Sequence, residues 1–485
     1  MQIQLERTPV ESLECDALIA LTFEGKPNDR FKDSLGDVYG SGEVAGKIFE
    51  MTLVHHPPGL KAKRLLLAGA GPVAKFTTAE VRRVSGAALR HLKSRSLRKI
   101  AILLEGSFGG SEHVEAAVEG AMLGDYEPDR YKSDKKDVKV VDQFTVSAPG
   151  GGEELNRAAE RGRTIAESQN FARELSTEPA NKLTPTSLAE AARQMAGTQG
   201  LECEVLDQDR MRQLGMGSLL GVALGSAEPP ALIVLRYKPA KVGGAAHLGL
   251  VGKGVTFDTG GISIKPADGM EKMKYDMAGG AAMIGTMRAL AQLKPPIAVT
   301  ALIPAVENMP GSRAQRPGDI VTSLSGKTIE VINTDAEGRL ILADALTYAR
   351  RLGCTHLVDA ATLTGAIVVA LGSINIGAFS TDDRLVGRVL ESARAAGEKM
   401  WRMPLDDDYK EQLKSPFADL ANVGGRPGGS ITAALFLSEF AEQTPWVHLD
   451  IAGTAWLDDA KPYMSKGPIG VGVRTFVNLA MNWVD

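Results

Sequence analysis

Cysteine is scarce in this sequence, which has three among 485 residues. Cys15, Cys203 and Cys354 lie far apart without paired spacing, so neither a disulfide framework nor a thiolate zinc site is indicated. Each lies in an apolar run, which favours buried packing over a nucleophilic role. The cysteine pattern is typical of a reducing compartment, and we therefore expect a cytoplasmic location.

The sequence also lacks a strong excess of either charge and any long hydrophobic run. Its 55 basic and 59 acidic residues give a formal net charge of −4, which offers no overall attraction to nucleic acid or to anionic membranes. No apolar run approaches the length of a transmembrane helix, and the residues up to Pro9 include Glu6 and lack the apolar segment of a secretory signal. We expect no membrane association.

Several common catalytic motifs are missing as well. The seven histidines include no His-Glu-x-x-His pair, and no Gly-x-Ser-x-Gly elbow occurs, which disfavours a zincin or a serine hydrolase. Gly69-Ala-Gly71 follows a strand-like run, but Pro72 comes next and Ala74 replaces the third glycine of a dinucleotide-binding loop. A simple turn is the favoured interpretation.

What the sequence does contain is ordinary globular composition, with 44% hydrophobic residues, in a chain longer than one core usually supports. Short apolar runs alternate with helical patterns, which is typical of largely parallel sheets. The predicted fold class is α/β, with two α/β domains joined by a long helix. The C-terminal domain is predicted to be a larger mixed sheet flanked by helices, and to carry the active site.

The clearest break in the chain is Pro149-Gly-Gly-Gly152. Apolar residues then recur at helical spacing from Glu153 to Leu175, and the helix should end near Pro179, because proline stops a helix. We predict an N-terminal domain over residues 1–150, a linker helix over 151–176 and a C-terminal catalytic domain over 177–485.

A cluster of carboxylates lies in the segment Asn333-Thr-Asp-Ala-Glu-Gly-Arg-Leu340. A β-branched run stops at its start and a helical pattern begins near Gly338, so Asp335 and Glu337 are predicted in a strand-to-helix loop. Residues two apart on extended backbone point the same way, and the following helix N-terminus favours anions. By itself, however, an Asp-x-Glu beside glycine is more typical of a solvated turn.

A second cluster raises the significance of the first. Lys253 and Asp258 bracket a glycine-rich strand end, where glycines indicate tight turns or close backbone approach. Four carboxylates, Asp258, Asp276, Asp335 and Glu337, could lie side by side only if cations offset their repulsion, and two divalent ions would do so. Oxygen-rich sites suit Mn²⁺ or Mg²⁺ and accept Zn²⁺, so the residue types leave the metal open.

These segments resemble the leucyl (cytosol) aminopeptidases, the M17 metallopeptidase family. The similarity lies in residues 333–340, in Val251-Gly-Lys-Gly-Val-Thr-Phe-Asp258 and in Lys274-Tyr-Asp-Met277, and it covers most of the C-terminal two thirds. The N-terminal domain fits in architecture. The resemblance implies an aminopeptidase that removes the N-terminal residue, preferably Leu or another apolar residue, from peptides with a free N-terminus.

The resemblance also implies two divalent ions per subunit, Mn²⁺ or Zn²⁺. One would be held by Asp258, Asp335 and Glu337, and the other by Lys253, Asp258, Asp276 and Glu337. A hydroxide that bridges the two ions would be the nucleophile.

Further roles implied by the resemblance concern catalysis, substrate and assembly. Lys265 would stabilise the oxyanion of the tetrahedral intermediate, and Arg339 would hold a bicarbonate in the bidentate fashion that suits a guanidinium. Substrate contacts would come from Met273, Thr362, Leu363, Gly365 and Ala455. The family resemblance implies a homohexamer with active sites facing an interior cavity.

Two alternatives stay open from the sequence. Paired metals on carboxylates also serve phosphoester hydrolysis, although the lack of a histidine-rich site and the presence of Lys253 favour the resembled family. DNA binding is a second role of some bacterial relatives, and the net charge and the absence of a basic run argue against it here.

Overall fold

The computed structural model describes residues 1–134, 138–149, 152–240 and 244–483. The chain divides into two compact units: Met1–Asn170 with Asp458–Gly467, and Phe171–Leu457 with Pro468–Asp485. The dividing point falls inside one long helix, Glu153–Thr177, which carries the chain from the first unit to the second. The predicted boundary at residues 150 and 151 lies outside the described residues, and the predicted domain limits stay a prediction.

The first unit contains a largely parallel sheet. Its strands are β1 Gln2–Glu6, β2 Ala17–Thr22, β3 Met51–His55, β4 Arg64–Gly69, β5 Lys99–Leu103 and β6 Gln143–Ser147. The helices up to the second unit are α1 Gly36–Gly40, α2 Thr78–Lys93, α3 Ser111–Asp125 and α4 Glu153–Thr177, with 3₁₀ turns at Val10–Ser12, Val73–Lys75 and Gly106–Phe108. The strand order is β1-β6-β5-β2-β4-β3, and only the edge strand β3 runs antiparallel to its neighbour.

Local sequence explains where these elements lie. Leu65, Leu66 and Leu67 of β4 are all buried. A strand that is covered on both faces is apolar at consecutive positions, which explains this continuous leucine run. Helix α2 begins with a capping box, in which the Thr77 hydroxyl accepts the Ala79 N–H and the Glu80 carboxylate accepts the Thr77 N–H. The predicted alternation of strands and helices is therefore confirmed in this unit.

The remaining elements follow α4 along the chain. The helices are α5 Pro185–Gln199, α6 Gln208–Leu214, α7 Gly217–Ala223, α8 Ala278–Leu293, α9 Glu337–Arg351, α10 Gly365–Leu371, α11 Asp383–Ala396, α12 Gly429–Ala441 and α13 Val473–Met481, with 3₁₀ helices Met270–Met277 and Asp407–Leu413. The strands are β7 Glu202–Leu206, β8 Ala231–Tyr237, β9 His247–Gly252, β10 Gly254–Asp258, β11 Ala298–Asn308, β12 Asp319–Thr322, β13 Thr328–Val331, β14 His356–Ala361, β15 Ile376–Ser380, β16 Met400–Arg402, β17 Leu420–Ala421, β18 Trp446–Asp450, β19 Trp456–Leu457 and β20 Gly467–Pro468.

The main sheet of the second unit is mixed, in the order β16-β15-β18-β14-β9-β11-β8-β7, with β10 also paired to β11. The central strands β18, β14, β9 and β11 are parallel to one another. Strand β15 runs antiparallel to β18 but parallel to β16, and β8 runs antiparallel to both β11 and β7. Strands β9 and β10 pair with successive parts of β11, and the single residue Lys253 separates the end of β9 from the start of β10. The larger mixed sheet predicted for the C-terminal part is confirmed.

The cysteines form no disulfide in this fold. All three cysteines are free, with Cys15 and Cys354 buried and Cys203 half-buried. Burial raises the pKa of the Cys15 and Cys354 thiols to about 12, so both stay protonated at neutral pH. Among the described helices, none is both long enough and apolar enough to cross a bilayer.

Candidate metal centre

Lys253 occupies the break between β9 and β10, at the carboxyl end of the central parallel strands. Its side chain is 3% exposed, and its Nζ lies 2.8 Å from Asp276 Oδ2 and 2.8 Å from Glu337 Oε1. Asp258 ends β10, and Asp276 lies on the 3₁₀ helix Met270–Met277. The predicted second cluster therefore meets Glu337 of the first cluster in space.

As predicted, Asp335 and Glu337 lie where a strand leads into a helix, here β13 and α9, but the helix begins at Glu337 and not near Gly338. Asp335 is in the loop and Glu337 is the first residue of α9, where the helix dipole favours a carboxylate. Strand β13 belongs to a separate small sheet with β12 and β17. Carboxylate oxygens of Asp258, Asp335 and Glu337 nevertheless lie within 4.8 Å of one another.

Hydrogen bonds hold the two segments together. The Ser263 N–H donates to Thr334 Oγ1 at 2.8 Å, the Thr334 N–H donates to Ser263 Oγ at 3.1 Å, and the Thr334 hydroxyl donates to the Gly260 carbonyl at 2.7 Å. Gly260 has a φ of +86°, in the left-handed region that glycine tolerates. Sequence reasoning anticipated the glycine turn but missed Thr334, whose hydroxyl is fully buried between the segments.

Asn308 is a second residue that the sequence did not reveal. It ends β11, is 2% exposed, and its Nδ2 donates to Asp258 Oδ1 at 2.8 Å and to the Thr334 carbonyl at 3.0 Å. An asparagine that donates to a buried carboxylate fixes the orientation of that carboxylate. The only signal in the sequence was a polar residue at the carboxyl end of a long apolar run, which does not by itself indicate contact with Asp258.

Charges in this cluster do not balance among the side chains alone. Asp258, Asp276, Asp335 and Glu337 bring four carboxylates, against the two ammonium groups of Lys253 and Lys265. Burial, together with the neighbouring carboxylates, raises the pKa of Asp276 and of Glu337. The cluster therefore holds excess negative charge that a cation would offset.

The pKa values of the two lysines are also raised, but here the cause is the neighbouring carboxylates and not burial. Burial lowers the pKa of the Lys253 ammonium, but the attraction of Asp276 and Glu337 outweighs burial, so the net pKa is raised. Burial also lowers the pKa of the Lys265 ammonium, but the neighbouring carboxylates outweigh burial and raise it overall. Lys265 Nζ lies 2.8 Å from Asp258 Oδ2 and 2.5 Å from Asp335 Oδ1. Each ammonium thus contacts two carboxylates of the cluster.

The donor set fits divalent cations. Asp276 Oδ2 and Asp335 Oδ1 are buried and receive no hydrogen bond of normal geometry, although a lysine Nζ lies close to each. Oxygens that approach a positive charge without a directed hydrogen bond suit metal coordination. Four carboxylates with a lysine nitrogen offer enough donor atoms to coordinate divalent cations.

Arg339 lies two residues after Glu337, on the same helix. It is 6% exposed, its Nη1 donates to the Asn422 carbonyl at 2.8 Å, and its Nε is buried without a hydrogen bond. Burial lowers the pKa of the guanidinium to about 10, which still leaves it charged at neutral pH. A buried cation with an unused donor fits a small anion.

The predicted substrate residues lie on three segments of the same unit. Thr362 follows β14, and its hydroxyl donates to Asp276 Oδ1 at 2.6 Å while its carbonyl accepts from Lys253 Nζ at 3.0 Å. Leu363 is half-buried in the same loop, and Gly365 is the exposed first residue of α10.

The other two substrate residues come from elsewhere in the chain. Met273 is half-buried on the 3₁₀ helix that carries Asp276, and Ala455 is 1% exposed in the loop after β18. Stacking of Tyr275 on Trp456, with ring centroids 5.5 Å apart, joins these two segments. Segments distant in sequence therefore converge beside the carboxylates.

Both parts of the chain match a known protein family. Residues 170–477 match the profile described as the cytosol aminopeptidase family, catalytic domain. The chain belongs to the cytosol aminopeptidase family. Residues 16–135 match the N-terminal domain of the same family, and the resemblance inferred from residues 333–340 is confirmed. Members of this family are aminopeptidases, hydrolases that act on peptides, and the family is metal-dependent.

Individual relatives agree over nearly the whole chain. A probable cytosol aminopeptidase of Solibacter usitatus (strain Ellin6076) is 68% identical over 483 residues, which is 100% of both chains. A mutant tomato leucine aminopeptidase has a TM-score of 0.90 at 35% identity, and the match covers 100% of this chain and 97% of that one. The bottromycin maturation enzyme BotP in complex with Mn has a TM-score of 0.87 at 36% identity, with 96% and 99% covered.

Proposed function

We propose that this family member is a two-metal aminopeptidase that removes Leu or another apolar residue from the amino end of peptides. The observation that carries the proposal is the cluster of four carboxylates, three of them buried, around Lys253 and Lys265. Such a cluster has excess negative charge and oxygens without directed hydrogen bonds. Both properties support binding of divalent cations.

The proposed ligands divide between two ions. Asp258, Asp335 and Glu337 would hold one ion, and Lys253, Asp258, Asp276 and Glu337 the other. When bound, the ions would supply Lewis acid chemistry, acidifying a shared water into the attacking hydroxide and anchoring the free α-amino group of the peptide. Lys253 must lose its proton to serve as a ligand, since only its neutral form has a lone pair.

Lys265 is proposed to stabilise the oxyanion of the reaction. Its side chain is 22% exposed, so it faces solvent more than Lys253 does while it contacts Asp258 and Asp335. A positive charge at the rim of a partly buried site stabilises charge that develops on the substrate. Its neighbours keep the pKa of the ammonium raised, which maintains that charge at neutral pH.

Arg339 is proposed to hold a bicarbonate that accepts and returns the proton of the nucleophile. Support comes from its burial and from its unpaired Nε. A planar guanidinium binds the two oxygens of a carboxylate-like anion in parallel, which a lysine cannot do. The anion would thus be held in one orientation.

The first residue of the peptide is proposed to enter a pocket formed by side chains of Met273, Thr362 and Ala455. The backbones of Leu363 and Gly365 would contact the peptide chain. An apolar pocket discriminates by only about 1–3 kcal/mol per methylene, so we expect a preference for Leu and Met with broad tolerance.

Metal identity, location and assembly complete the proposal. Mn²⁺ or Zn²⁺ is proposed, and manganese in the similar BotP structure supports the first. A cytoplasmic location is supported by the names of the relatives and by the free cysteines. The homohexamer is proposed from the family, and light scattering of the purified protein tests it.

Hydrolysis of leucine p-nitroanilide tests the function. We expect activity that chelation abolishes and Mn²⁺ or Zn²⁺ restores, and no cleavage of the N-acetylated substrate. Asp335→Asn and Glu337→Gln should lose activity and metal together. Glu330→Gln is the matched control, because Glu330 is also buried nearby on β13 but bonds to Ser415 outside the cluster.

Two results would contradict the proposal. Activity that survives complete chelation would show that the reaction does not need metals. Cleavage of the N-acetylated substrate would show that it does not need a free amino group. Lys265→Ala separates the roles of the lysines, since we expect lost turnover with both metals retained. Loss of metal in that variant would instead make Lys265 a ligand.

A further inference from the structure

Asp450, the last residue of β18, makes contacts that none of the roles above uses. It is 1% exposed, and its Oδ1 accepts the backbone N–H groups of Leu363 and Ala452, each at 3.2 Å. Its Oδ2 accepts the Thr364 hydroxyl at 2.6 Å. One buried carboxylate therefore ties the loop after β14 to the loop after β18.

Strand register explains why Asp450 can do this. Strands β14 and β18 are parallel, and Ala361 pairs with Asp450, so both strands end side by side. The loop after β14 begins at Thr362. Two donors near its start, the Leu363 N–H and the Thr364 hydroxyl, bond to Asp450. Thr364 also accepts the Ile367 N–H at 3.1 Å, so the contact with Asp450 fixes the start of α10 as well.

These two loops carry most of the proposed substrate pocket. Thr362 and Leu363 lie on the first loop, Gly365 begins α10 directly after it, and Ala455 lies on the second loop. The first loop is also fixed on its other side, because Thr362 contacts Asp276 and Lys253. Beside the backbone bond from the Ile451 N–H to the Ala361 carbonyl, Asp450 thus links the wall of the proposed pocket that Thr362 forms to the wall that Ala455 forms.

We infer that Asp450 is a positioning residue that sets the selectivity of the pocket for the first residue of the peptide. This inference rests on the proposed function. A carboxylate accepts bonds from both sides at once, whereas an amide offers only one acceptor oxygen. Loss of one bond would let the two walls separate, and an apolar pocket that widens loses its preference for a larger side chain.

Asp450→Asn tests the inference in the metal-loaded enzyme, with kcat and KM measured for leucine and alanine p-nitroanilides. We expect KM for the leucine substrate to rise about tenfold, as the loss of one buried hydrogen bond to a charged group implies. The kcat should change much less, and the preference for leucine over alanine should fall. Binding of leucinol, followed by calorimetry, should weaken in parallel while metal content stays unchanged.

Variants of Thr364 test the same contact independently of how well Asp450→Asn folds. Thr364→Ser keeps the hydroxyl and should retain wild-type selectivity, whereas Thr364→Val should reproduce the Asp450→Asn effect. The double variant should be no worse than either single one, because both remove one interaction. Asp344→Asn is the matched control, a buried carboxylate that accepts the Leu219 and Leu324 N–H groups, and it should leave selectivity unchanged.

Three results would overturn the inference. These are an unchanged leucine-to-alanine ratio in Asp450→Asn and Thr364→Val, a loss confined to kcat, or equal loss of selectivity in Asp344→Asn. Failure of the proposed function is a different result. In that case the wild-type enzyme with metals would hydrolyse neither substrate and would not bind leucinol.

Discussion

Gly338 lies against Lys253 so closely that a side chain there would collide with it. A Cβ on Gly338 would be 2.9 Å from Lys253 Cδ, Cε and Nζ. Gly338 is the second residue of α9, where alanine would ordinarily be the better helix former by about 1 kcal/mol. The glycine therefore gives the lysine room to reach Asp276 and Glu337.

Gly338→Ala should keep the fold but weaken the site. The atoms in its way are the far end of a flexible side chain, so Lys253 can move aside, and its contacts with Asp276 and Glu337 are then lost. We expect activity to fall at least about tenfold and binding of one of two metals to weaken, with little change in thermal stability. Titration with Mn²⁺ and thermal melting measure both effects.

Gly387→Ala provides the control for helix propensity. Gly387 lies inside α11, and a Cβ there would meet nothing within 4 Å. This variant should be as active as the wild type and equally or more stable. Equal loss of activity in both variants would show that the contact with Lys253 is not the cause.

Sequence predicted the parts of the site that lie within short segments. The loop with Asp335 and Glu337 was evident because a β-branched strand and a helical pattern meet there within a few residues. The central strands were evident because strands buried on both faces are apolar throughout. These signals are local, so they survive without knowledge of the fold.

Other parts depend on contacts between distant residues and were not predictable. The sequence showed β13 as a strand, but not that it joins a separate sheet, because its parallel partner is Leu420–Ala421. Asn308 ends an ordinary apolar strand, and its role follows only from meeting Asp258 and Thr334 in space. The same holds for Asn422, whose carbonyl accepts from Arg339.

Asn308 leads to a second prediction. Asn308→Ala removes the donor to Asp258, and Asn308→Asp also adds a further negative charge beside Asp258 and the Thr334 carbonyl. Loss of a residue that orients a metal ligand typically costs about 10–100-fold in affinity or activity. We expect Asn308→Ala to lie in that range, measured as the dissociation constant for Mn²⁺ and as kcat.

The order of the two Asn308 variants is informative in itself. If orientation of Asp258 is the main effect, both variants should lose kcat to a similar degree. The added negative charge of Asn308→Asp should strengthen the attraction of the site for cations. Its affinity for Mn²⁺ should therefore be higher than that of Asn308→Ala. Wild-type kcat in Asn308→Ala would refute an orienting role.

Metal binding should stabilise the folded protein, which gives a third prediction that needs no substrate. A ligand that binds only the native state adds about 2.7 kcal/mol at a hundredfold excess over its dissociation constant. Mn²⁺ added to chelated protein should therefore raise the melting temperature, and Asp335→Asn should reduce the increase. Glu330→Gln should keep it, and an unchanged melting temperature in the wild type would count against a buried metal site.

Asp344 leads to a prediction about pH. It is fully buried on α9, and burial raises the pKa of its carboxyl from 3.8 to about 7, although the Leu324 and Leu219 N–H groups act in the opposite direction. Between these values the folded state keeps the proton while the unfolded state releases it. Raising the pH across this window therefore favours unfolding, by up to about 1.4 kcal/mol per pH unit.

Asp344→Asn removes this contribution, because an amide does not titrate. The free energy of unfolding of the wild type, relative to that of the variant, should fall as pH rises from about 4 towards about 7 and then level off. Urea unfolding of both proteins across that range measures the difference between their free energies of unfolding. Titration of the carboxylate cluster contributes equally to both proteins and therefore cancels in this difference. A constant difference between wild type and Asp344→Asn would mean that the backbone donors outweigh burial and keep Asp344 ionised in the fold.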